Sequence, residues 1–124
     1  MEDVLFWLYI ANAVLLINHE IDSAYWREWR LFNLPGGITF FLVLHFPLLF
    51  AILYGLVEVF KHTTAGLVFS VIFSAGGLFA FGIHTYFIRK GREEFRLPVS
   101  IFILVAVLLV SLVQLGVTIY LFVT

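Results

Sequence analysis

The chain has 124 residues, of which 63% are hydrophobic and 12% charged, and its mean hydropathy is +1.09. Soluble domains carry roughly a quarter charged residues, so this composition marks an integral membrane protein, and a net charge of −1 from 7 basic and 8 acidic side chains excludes a nucleic-acid surface. There is no cysteine, which excludes disulfides, thiolate metal ligands and cysteine nucleophiles.

Four spans of ~20 residues with short connections would use nearly the whole length, predicting a single transmembrane domain over 1–124. The opening Met-Glu-Asp-Val-Leu-Phe-Trp lacks the positive leader and small-residue cleavage site of a signal peptide, so the first apolar run is expected to be retained. Residues 4–19 are apolar except for Asn12, Asn18 and His19, and neither Gly nor Pro follows before Pro35; one long helix is predicted over 3–30. Its Trp26-Arg27-Glu28-Trp29-Arg30 end reads as an interfacial anchor. Asn33-Leu34-Pro35-Gly36-Gly37 then breaks it.

A second helix is predicted over 38–60, kinked at Pro47, with Glu58 and Lys61 snorkelling together at its far end. The third, over 65–90, carries Gly66, Ser70, Ser74, Gly77 and Ala80, small residues that allow helices to approach closely. Arg89 to Arg96 form the most charged loop. Pro98 suits the start of a fourth helix over 97–123, apolar apart from Ser100, Ser111, Gln114 and Thr118. The fold class is therefore all-α, an integral-membrane four-helix bundle with antiparallel neighbours.

Arg27, Arg30, Arg89, Lys90, Arg92 and Arg96 all fall in the first and third connections, against Lys61 alone in the second. The positive-inside rule puts those two connections in the cytoplasm and both termini outside.

Counting ~1.5 Å per residue from the nearest interfacial charge or break, His19, His45 and His84 lie ~12, ~12 and ~8 Å deep on one side. His62 does not share that level. On the first helix Asn12, His19, Asp22, Ser23 and Trp26 superpose at spacings of seven, three and four. Gln114 lies too deep for the histidines and is expected to meet Asn12. The inner half of the bundle could thus gather His19, Asp22 and Ser23, His45 and His84, with Glu93 or Glu94 folding over from the loop. Three imidazoles and a carboxylate suit Zn or Fe, or Mn, because imidazole is a borderline ligand common to them. His19, His45, His84 and Asp22 are the candidate metal ligands. Asp22 or Glu20 would serve as general base for an ion-activated water, or orient a histidine. Two facing histidines can also ligate haem.

Four short spans with NHEIDSAYWREWRLF after the first, a histidine in the second and HTYFIRKGREEF closing the third resemble a family of small uncharacterised bacterial integral-membrane proteins. They are more distantly similar to membrane proteins with the HXXEE motif, of whose two acids His19 is followed by one, Asp22, with Ser23 in the second place. The resemblance implies a membrane location, bacterial origin and thus an inner membrane, and no particular activity. Three functions are open on the residues alone. The first is a small metal-dependent enzyme acting on a membrane-soluble substrate. The second is an accessory subunit of a larger membrane complex, or a homo-oligomer, in the lipid bilayer. The third is a haem-binding or proton- or ion-carrying protein.

Overall fold

Within a bilayer a peptide group has no water to bond, so an apolar run satisfies its backbone within itself as a helix. The computed structural model describes residues 1–124 and contains five helices: α1 (Glu2–Tyr25), α2 (Glu28–Leu31), α3 (Gly37–Phe60), α4 (Thr64–Arg89) and α5 (Pro98–Val123). All but α2 are long and apolar enough to cross a membrane. The long helices form a ring in chain order, with α5 closing against α1. Across the ring α1 meets α4, whereas α3 and α5 are not in contact. Short connections make neighbours antiparallel.

Local chemistry sets the helix ends. The Thr63 hydroxyl accepts the Gly66 N–H at 3.1 Å to start α4, Pro98 occupies the first turn of α5, and Gly36 enters α3 at φ 96°. The three later long helices fall within one residue of the expected ranges, and α3 runs through Pro47 without interruption.

The first helix differs from expectation. The continuous helix over 3–30 is broken: α1 stops at Tyr25, Arg27 adopts the left-handed region at φ 55°, ψ 56°, and the chain turns into α2. In an unbroken helix the nine-residue step from His19 to Glu28 would put the two on opposite faces, about 180° apart at 3.6 residues per turn. A left-handed non-glycine residue costs roughly 1–2 kcal/mol. Burial of Leu31 against Phe95 and Leu104, and the return of Glu28 toward His84, offset that cost.

The middle of the bundle is held by a buried polar network. The Asn12 side-chain amide donates to Ser111 Oγ at 3.1 Å and to Gln114 Oε1 at 2.9 Å, the meeting expected from their depth. The Gln114 amide donates in turn to Ser70 Oγ at 2.9 Å and to the Ser70 carbonyl at 3.2 Å, and the Ser70 and Thr118 hydroxyls bond at 2.7 Å. These contacts tie α1, α4 and α5 together. Close approach of α4 and α5 requires Gly77, where any Cβ would collide with Ser111 and Val107. On the other flank the Tyr9 hydroxyl donates to the Ile52 carbonyl at 2.8 Å, and Tyr9 joins Leu5, Ala13, Ile52, Val59 and Val117 in the apolar core. Phe46, Phe50 and Phe79 are among the large apolar side chains turned outward, as a lipid-facing surface requires.

Candidate metal centre

His19 comes from α1 and His84 from α4, the two helices that meet across the ring. Both are buried, and their rings meet edge to face with centroids 4.7 Å apart. The turn at Arg27 brings Glu28 of α2 to them, its Oε1 3.3 Å from His84 Nε2. One donor atom from each of His19, Glu28 and His84 lies within 4.8 Å of the other two. Such a set can close around one divalent ion with small side-chain adjustments, since Zn–N and Zn–O distances are ~2.0–2.2 Å.

The electrostatics favour an ionised carboxylate. Burial pushes the Glu28 carboxyl up, but the His84, Ser23 and His19 side chains beside it outweigh that and hold Glu28 below the usual carboxylate range. Phe95 seals the cluster on the side of the charged loops. It is buried at φ 66° with its ring 4.2 Å from that of His84 and 5.7 Å from that of His19.

Six of the seven buried side-chain atoms that find no hydrogen-bond partner in the chain belong to this end: His19 Nδ1, Asp22 Oδ2, Ser23 Oγ, Trp26 Nε1, His84 Nδ1 and Ser100 Oγ. An unsatisfied buried polar atom costs ~1–3 kcal/mol. The cluster is therefore chemically unsatisfied within the chain itself, and its donors suit imidazole and carboxylate coordination.

The candidate residues named from sequence are distributed as follows. His19 and His84 meet. His45 lies in the neighbouring wall, its Nδ1 2.6 Å from the Phe41 carbonyl and its Nε2 2.5 Å from Glu20 Oε2. Glu20 is thus engaged with His45, while Asp22 stays on α1 with one oxygen buried and unpartnered. His62 faces Glu2 at 3.5 Å, at the opposite end. The loop places Phe95 over the histidines in place of the expected Glu93 or Glu94; Glu94 instead pairs with the exposed Arg92 at 2.8 Å, which keeps its charge in the loop. That pairing holds the Glu94 carboxyl below its ordinary value.

Glu28 is the member sequence reasoning missed, having been read as part of the Trp/Arg anchor. The only available signal was its charge, a carboxylate between two arginines that it does not pair with.

Two cavities flank the cluster. One, of about 170 Å³, reaches His19, Glu28 and His84 from an apolar cleft lined by Leu48, Ile52 and Phe79. The other, of about 250 Å³, lies between α2 and α3 and is lined by His45 with Trp29, Phe32 and Phe41. Glu20 and Glu28 line both.

Fold and site together define a helical bundle with four membrane-length helices and a buried histidine–carboxylate cluster at one end. The chain belongs to a family of unknown function, DUF6713, whose model matches residues 5–121. No curated protein and no solved structure matches it.

Proposed function

We propose that this is a membrane metalloprotein in which His19, Glu28 and His84 bind one divalent transition-metal ion, Zn or Fe, and that it acts on a membrane-soluble substrate. The observation that carries the reading is the convergence of three donor atoms within 4.8 Å, two of them on buried imidazoles. Three protein ligands leave a coordination position open, and an ion held this way lowers the pKa of bound water toward ~7. Asp22, with its buried unpartnered oxygen on the same helix, is the candidate base.

Access supports a membrane-soluble substrate. Phe95 covers the histidines on the loop side, whereas the 170 Å³ cavity leads away between apolar side chains, including the outward-turned Phe79. The matching orientation puts the arginine-rich connections on the cytoplasmic side of a bacterial inner membrane and both termini outside.

Elemental analysis of detergent-purified protein tests the proposal. Stoichiometric metal is expected in the parent chain and none at the cluster in a folded His84→Ala variant. A parent chain that takes up no ion under metal-replete conditions would sink it.

A further inference from the structure

Glu20 and His45 stand beside the proposed centre without belonging to it, and three features of the pair point the same way. The first is imidazole orientation. Metal-binding histidines as a rule donate their second ring N–H to a carbonyl or carboxylate, which fixes the nitrogen offered to the metal. His45 does this on α3: Nδ1–H donates to the Phe41 carbonyl at 2.6 Å, its ring stacks on Phe41 at 3.9 Å, and Nε2 is directed at Glu20.

The second is the placing of the carboxylates. Glu20 and Glu28 each line both cavities, so they form the wall between the His19–His84 side and the His45 side. A carboxylate has two oxygens and can face both ways. The third is charge. Glu20, Asp22 and Glu28 gather at one end of a low-dielectric bundle, yet the ion pairs of the chain give none of them a lysine or arginine. One divalent ion at His19, Glu28 and His84 leaves one of these three negative charges unbalanced. Ionisable groups in a membrane interior are costly unless paired.

We propose that Glu20 and His45 hold a second divalent metal ion next to the first, with Glu28 shared between them, so that α1, α2, α3 and α4 together build a two-metal centre. Three imidazoles and two carboxylates from four helices resemble in composition the inward-facing His/Glu sets by which helix bundles hold paired metals. Two adjacent ions can stabilise both the attacking and the leaving oxygen in a displacement, which one ion does less well. The second ion replaces the proton otherwise required between His45 Nε2 and Glu20 Oε2.

This inference rests on the single-ion reading above, and counting ions separates the two. Purified full-length protein is stripped with chelator, reloaded with Zn2+ alone and freed of loose ions by gel filtration, and the bound zinc is counted per chain. Two ions are expected in the parent chain and one in His45→Ala. Glu20→Gln, which keeps size and hydrogen-bonding capacity, is expected to give the same loss and serves if His45→Ala does not fold. A parent chain holding one ion overturns the second site while leaving the first standing, as does a parent holding two ions that both survive these substitutions. No bound ion overturns both proposals.

Discussion

The bundle has two buried polar regions, and they are built on opposite principles. In the middle, Asn12, Ser70, Ser111, Gln114 and Thr118 satisfy one another across three helices, leaving only Asn12 Oδ1 without a partner. At the charged-loop end, His19, Asp22, Ser23, Trp26, His84 and Ser100 each keep a buried atom that nothing in the chain satisfies. A complete network stabilises the apoprotein and leaves no capacity for a ligand. An incomplete one costs stability and keeps donor atoms free. The first region is architecture, and the second is where a ligand has something to gain.

The contrast breaks most sharply under substitutions that separate stability from ion binding. His84→Ala is expected to weaken zinc affinity at least ~100-fold, about 2.7 kcal/mol, since even outer-shell partners of metal ligands matter at the 10–100-fold level. Its metal-free unfolding free energy should fall by less, because removal of the unpartnered His84 Nδ1 offsets part of the lost contact with Phe95 and Glu28. Competition with a chromophoric chelator and unfolding in mixed micelles measure the two quantities. Gln114→Ala should do the reverse. It removes one of the two bonds donated by the Asn12 amide and both bonds to Ser70, costing about 2 kcal/mol of stability with zinc affinity unchanged.

A smaller effect, about 1–2 kcal/mol, is expected for Gly77→Ala, whose new Cβ forces Ser111 and Val107 aside in the α4–α5 seam. Paired measurement with Gln114→Ala should show non-additivity, because Ser111 lies directly against Gly77 and is linked to Gln114 through Asn12. The smallest effect belongs to the exposed Arg92–Glu94 pair. The folded state holds the Glu94 carboxyl below its ordinary value, so its contribution is complete above that value and is lost as pH falls through the lowered one. Glu94→Gln should therefore narrow the Tm difference between pH 7 and acid pH slightly; a wider difference would show that the pair is not stabilising.

The two regions were not equally legible in sequence. Spacing alone relates Asn12 to Gln114, since straight helices of known length convert residue number into depth, and the bond between them is there. His19 and His84 share a level for the same reason. His45 shares it too, but depth does not specify which way a ring turns, and the Phe41 carbonyl and Glu20 claim both its nitrogens. Glu28 was illegible because helical periodicity places it opposite His19. Only the left-handed residue Arg27 reverses that, and arginine carries no sequence signal for such a turn. Phe95 was hidden likewise. A loop so rich in charge offers its carboxylates as ligands, whereas the residue that goes inside is the aromatic one.

The dispersal of the cluster along the chain bears on how the protein is made. His19 and Glu28 leave the ribosome early, whereas His84 lies near the end of the third long helix and Phe95 beyond it. The first two spans, inserted alone, hold His19 and Glu28 of the triad but not His84. An ion held by His19, Glu28 and His84, as proposed, would therefore be captured only after α4 has entered the membrane and crossed against α1. A chain arrested before residue 84 would reach the bilayer with that triad one imidazole short.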